Sequence, residues 1–133
     1  MANLLRYLSH PQVQIDANVP VPEWGLSEVG RKRTLAICGA ASFDNTNLIV
    51  SSGEKKALET AEIIGNEIKV DVTRVDRMHE NDRSATGFLP PDEFEDTADM
   101  FFLYPEQSIL GWERAFDAQA RIVEETNNFL RDH

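Results

Sequence analysis

The sequence predicts an α/β fold with a mainly parallel sheet flanked by helices. Three observations lead there. Short apolar runs end abruptly in polar residues, amphipathic stretches separate those runs, and the order is strand, helix, strand, helix, strand. Strands connected through helices in this way run parallel, with right-handed crossovers.

In chain order, Leu4–Leu8 reads as a short buried strand, apolar around Arg6 and ended by Pro11. Val13–Trp24 contains Pro20 and Pro22 and is expected to be an extended loop. Ser27 is a candidate N-cap for a helix over Glu28–Ala40, which Gly39 and the Ser42–Asn47 cluster close. Leu48–Val50 forms a second strand. Glu54–Ile68 follows as a helix with Ala57, Ala61, Ile64 and Ile68 on one face. Val70–Val75 alternates apolar and polar residues, which marks a third strand.

Residues 77–104 are irregular, punctuated by Gly87, Pro90 and Pro91, with a short helix expected within Asp92–Phe102. Pro105 precedes a long amphipathic helix whose apolar stripe would hold Ile109, Trp112, Phe116, Ile122, Val123 and Leu130. No internal repeat, low-complexity tract or linker interrupts the pattern, so residues 1–133 are expected to form one domain. That last helix should feed another strand, yet the sequence stops at His133.

Composition narrows the function classes. A hydrophobic content of 41% and a charged content of 27% are ordinary for a water-soluble domain. The net charge of −10 argues against nucleic-acid partners and anionic membranes, which are bound through clustered Lys and Arg. An acidic chain still binds phosphate where a few cations are focused in one cleft. The single cysteine, Cys38, allows no intrachain disulfide and fits a reducing compartment; its thiol reads as packed. With no signal-peptide apolar stretch and no run of membrane-spanning length, a cytoplasmic location is expected.

Two short stretches carry chemistry. Leu8-Ser9-His10-Pro11-Gln12-Val13 presents a histidine at the end of the first expected strand. Ser51-Ser52-Gly53-Glu54-Lys55-Lys56 presents two hydroxyls and then lysines at the end of the second. Open α/β sheets assemble their sites at such strand ends, and this combination suits a phosphate group.

With Leu26-Ser27-Glu28-Val29-Gly30-Arg31 between those stretches and Glu80 in His79-Glu80-Asn81-Asp82 after the third strand, the chain resembles the histidine phosphatase (phosphoglycerate mutase-like) superfamily. The family's Arg-His-Gly or Arg-His-Ala motif corresponds to Ser9-His10-Pro11. Its Leu-Ser/Thr-x-x-Gly-Arg motif corresponds to Leu26–Arg31. Its Ser-Ser-x-x-x-Arg-Ala-x-x-Thr-Ala motif corresponds to Ser51–Ala61. The departures are Ser9 and Lys56 where the family has arginines, and Pro11 where it has a small residue. The family's second histidine has no counterpart. The resemblance implies a three-layer sandwich, incomplete at its C-terminal side.

It also implies a phosphomonoester hydrolase acting on a small soluble phosphorylated substrate through a phosphohistidine intermediate, with no metal and no cofactor. His10 would be the nucleophile and Glu80 the proton donor to the leaving alcohol, a role that calls for a raised carboxyl pKa. Lys56, Ser9 and Arg83 would bind the substrate phosphate. Arg83 is preferred over Arg6 as substitute for the missing arginine, because Arg6 lies four residues upstream on the expected strand, roughly 13 Å from the site. Taken one by one, Lys56 also reads as a solvated helix residue, Arg83 as a surface arginine and His79 as a histidine without a metal. Ser51 and Ser52 read as strand and helix termini. The hydrolase account requires His10 and Lys56 to face one shared space.

The competing reading is a non-catalytic phosphate-binding or interaction module, or an incomplete product of the same fold. An unrelated nucleotide-binding domain is disfavoured, because no Gly-rich phosphate loop follows the first strand. A sheet lacking a late strand also predicts an exposed edge and self-association.

Overall fold

In the computed structural model, residues 4–40 and 43–133 are described. The first firm anchor is a clasp between the His10 stretch and the first helix. Val13 and Leu26 form an isolated antiparallel bridge, and the Ser27 N–H donates to the Gln12 carbonyl at 3.1 Å. The Ser27 hydroxyl donates to the Gln12 side-chain oxygen at 2.9 Å and accepts the Gly30 N–H at 3.1 Å. Ser27 therefore caps α1 (Glu28–Ala40) as expected, since a hydroxyl can donate once and still accept. Gly30 is required here: a Cβ would stand 2.2 Å from the Gln12 carbonyl oxygen. Of the cluster expected to close α1, Ser42 lies outside the described residues, while Asp44 and Asn45 form a turn with Asn45 at φ 63°.

β1 (Ile49–Ser51) and β2 (Val72–Arg74) pair in parallel, with Ile49 opposite Val72 and Ser51 opposite Arg74. The crossover between them is α2 (Lys55–Ile68), which packs on both strands and on α1. Its buried residues are Lys56, Thr60, Ala61, Ile64 and Gly65, the expected face rotated to include a lysine. β2 starts later than expected because Lys69 takes a left-handed conformation at φ 61° and the Val70 N–H bonds back to the Gly65 carbonyl at 3.0 Å. Val70 thus belongs to the helix terminus.

The strand expected at Leu4–Leu8 is not formed. A strand exists through ladder bonds to a neighbour, and among the described residues the sheet holds only β1 and β2. Leu4 and Tyr7 are consequently 73% and 72% exposed.

After a short 3-10 turn at Asp76–Met78, α3 spans Pro91–Leu103 with proline at its first position, where no N–H is needed. α4 spans Ala115–Asp132 and therefore starts well past Pro105. Leu110 at φ 51° and Gly111 at φ 82° turn the chain before it can become helical, so Ile109 and Trp112 lie outside the helix. Trp112 is nevertheless deeply buried. The stripe expected on α4 is not: Phe116, Val123 and Leu130 are exposed, and the buried residue of this helix is Arg121. Among the described residues no helix is long and apolar enough to cross a membrane.

Candidate functional site

Lys56 enters the first turn of α2 and is 3% exposed, which excludes the reading as a solvated helix residue. A buried ammonium must be paired. Its Nζ lies 2.5 Å from Glu80 Oε1 and 3.6 Å from Glu54 Oε2. Arg83 donates to the same Glu80 Oε1 at 2.9 Å, so two cations grip one carboxylate oxygen. Arg83 is aimed by packing: its guanidinium lies 5.0 Å from the Phe94 ring centroid and 5.9 Å from that of Trp112. Trp112 is itself fixed by an indole N–H bond to Thr86 Oγ1 at 2.8 Å. This aromatic platform was not visible as a site feature in the sequence, because its parts come from α3 and the turn before α4.

Burial pushes the Glu80 carboxyl pKa up. The hydrogen bond and charge of Lys56, followed by those of Arg83, outweigh it, and the net result lies below the ordinary glutamate value. This differs from the raised pKa that a proton donor needs. The cause is that Lys56 and Arg83 both turn to Glu80 and favour its ionised form.

The loop carrying Glu80 is held from α4 by Arg121, a residue that the sequence reading missed. Arg121 donates to the carbonyls of Arg77 at 2.5 Å and His79 at 2.7 Å, and its other nitrogens bond Glu113 at 3.1 and 2.7 Å. Glu113 closes the arrangement by accepting the Asp82 N–H at 3.2 Å. The available signal was an arginine directly beside Ile122, inside a stripe expected to be apolar.

His10 stands apart from this network. Its Nδ1 lies 2.7 Å from the Pro11 carbonyl oxygen. A carbonyl only accepts, so Nδ1 is the donor in this contact. Ser9 and Arg6 are exposed. A cavity of about 340 Å³ borders Glu80, with Tyr7, Phe101, Arg121 and Ile122 among its walls; neither His10 nor Lys56 lines it.

Ser51 closes β1 as expected, whereas the expected helix cap is not formed by the serine pair. Ser51 Oγ donates to the Ser52 carbonyl at 2.9 Å, and Ser52 Oγ reaches Glu54 Oε1 at 3.3 Å. Neither caps α2, whose N-cap position is Glu54. His79 Nδ1 donates to the Glu80 carbonyl at 2.5 Å. Among the described residues no three His, Cys, Asp or Glu side chains form a group that could hold a metal.

Among the described residues the architecture is a mixed α/β fold with four α-helices and a small parallel sheet, and it is shared with solved phosphatase structures. The chain is similar to mycobacterial glucosyl-3-phosphoglycerate phosphatase with inorganic phosphate, at 23% identity and a TM-score of 0.69, over 92% of this chain and 60% of that one. It is similar to Bacillus stearothermophilus YhfR at 21% identity and a TM-score of 0.72, over 93% of this chain and 65% of that one. Mycobacterial hydrolase 2 gives 22% identity and a TM-score of 0.75, over 92% of this chain and 55% of that one. The chain thus spans less than two thirds of the length of these structures. No family model and no curated protein sequence matches it.

Proposed function

We propose that the chain is a phosphomonoester hydrolase, or the greater part of one, acting on a small phosphorylated substrate. One observation carries the reading: a buried lysine and an aromatic-backed arginine converge on a single carboxylate oxygen, 2.5 and 2.9 Å away. Such a pair of cations suits the non-bridging oxygens of a phosphoryl group, whose transfer is catalysed mainly by positioning and charge neutralisation. The likeness in fold to a glucosyl-3-phosphoglycerate phosphatase with inorganic phosphate supports the same class.

This reading requires the His10 stretch to move, because His10 and Lys56 share no cavity in the structure. Once brought to the cluster, His10 Nε2 attacks phosphorus while the bond to the leaving oxygen breaks, giving phosphohistidine. Substrate oxygens take Lys56 and Arg83 from Glu80. The Glu80 carboxyl pKa then rises, so that it can hold the proton it gives to the leaving alcohol. Glu80 next takes a proton from the water that cleaves the nitrogen–phosphorus bond. Ser9 and Arg83 complete the phosphate contacts, and the fold works as one unit over residues 1–133.

The second reading, a phosphate-binding module without turnover, is favoured by Glu80 being held ionised and by Ser9 standing where the family has arginine. Turnover of a generic aryl phosphate, compared with His10→Ala, separates the two. Activity abolished by the substitution supports the hydrolase. A folded protein that binds phosphate without turnover supports the module.

A further inference from the structure

The family motif read in the sequence does not account for Glu54, yet this side chain joins both halves of the cluster. It is buried, at 8% exposure, in the N-cap position of α2, and makes no side-chain cap to the helix. Its Oε1 accepts the Glu80 N–H at 2.9 Å and faces Ser52 Oγ at 3.3 Å. Its Oε2 lies 3.6 Å from the Lys56 ammonium. One carboxylate therefore ties the main chain of the candidate acid to the cation of the candidate phosphate site.

The charges complete the picture. Lys56 and Arg83 face Glu54 and Glu80, so the cluster is balanced, two cations against two carboxylates. A phosphoryl dianion entering this space meets a cation already countered on its buried side. Glu80 is partly exposed and can swing away, whereas Glu54 is enclosed and bonded to a main-chain amide.

We propose that Glu54 is a positioning residue of the phosphate site: it holds the Lys56 ammonium and the Glu80 main chain in register, and it tempers the affinity of Lys56 for a phosphoryl oxygen. The inference rests on the hydrolase reading only for turnover; its effect on phosphate binding stands separately.

The test compares wild type, Glu54→Gln and Glu54→Ala in titrations with inorganic phosphate, and in aryl phosphate kinetics where turnover exists. In Glu54→Gln the amide oxygen still accepts the Glu80 N–H, while the charge is gone. Phosphate then binds about tenfold tighter, by the loss of one nearby like charge. Glu54→Ala loses the amide acceptor as well, so kcat falls further in Glu54→Ala than in Glu54→Gln while phosphate binding stays tightened. A merely structural counter-ion would lower stability without splitting binding from kcat.

Unchanged or weaker phosphate binding in Glu54→Gln overturns the proposal. If wild type binds no phosphate, binding gained in Glu54→Gln supports it and continued absence overturns it. Tighter phosphate without turnover in any form rejects the hydrolase reading and leaves the role of Glu54 standing. Should Glu54→Gln fail to fold, Glu54→Asp decides. It keeps the charge but shortens the reach, so kcat falls if the register matters and is unchanged if it does not.

Discussion

Replacing Lys56 by methionine keeps the length of a buried side chain and removes its charge. At 2.5 and 3.6 Å its attraction to Glu80 and Glu54 amounts to about 5–7 and about 4–5 kcal/mol at an effective dielectric constant near 20. Desolvation of the ammonium offsets most of this. The Glu80 side chain is 36% exposed, so solvent screens its share further. The enclosed Glu54 carboxylate is the partner left uncompensated, and the expected net loss is about 2–3 kcal/mol in urea denaturation at pH 7.

The sign of the pH dependence follows from Glu80. Its folded carboxyl pKa lies below the ordinary value, so the ionised form contributes stability that is fully present above an unfolded value of about 4.3. That contribution is lost as pH falls through the folded value. In Lys56→Met only Arg83 remains on Glu80, so the stability gap between the two proteins is widest near neutrality and narrows below about pH 4.3. A loss under about 0.5 kcal/mol at pH 7, or a gap that widens on acidification, would refute the argument from buried pairing.

Arg121→Met removes the bonds to the Arg77 and His79 carbonyls and leaves Glu113 unpaired, so a loss of about 2–4 kcal/mol is expected by calorimetry; an unchanged melting temperature would contradict it. Gly30→Ala places a Cβ against the Gln12 carbonyl and should cost about 1–2 kcal/mol even after the better helix propensity of alanine, whereas a stabilised variant would show the clasp to be dispensable. Exposed Leu4, Leu5 and Leu8 predict concentration-dependent association in sedimentation, and a monomer at every concentration would count against it.

Local signals in the sequence were sufficient where the chain itself supplies the constraint. Ser27 ahead of Glu28 placed α1, and the small and apolar residues from Ala57 to Ile68 placed α2, because capping and helical spacing act within a few residues. Lys56 and Glu80, marked by the family resemblance, and Arg83, chosen as a substitute cation from the same loop as Glu80, are likewise gathered together by the fold. What failed depended on partners. Leu4–Leu8 has the composition of a strand but no strand neighbour among the described residues, and α4 buries Arg121 because loop carbonyls need a donor there. Glu54 looked like any acid at the start of a helix; besides Ser52, its partners come from the loop after β2 and from the first turn of α2.

The clasp between Gln12 and α1 moors the chain on one side of His10 only. Gln14 and Ser27 carry bonded amides, whereas none of the described backbone bonds involves Leu5–Ser9. The imidazole thus sits where the exposed Leu4–Leu8 stretch meets the tethered one. Any body that settles on Leu4, Leu5 and Tyr7 therefore lies against the stretch of chain that leads into the ring, so the apolar surface and the imidazole share one run of backbone.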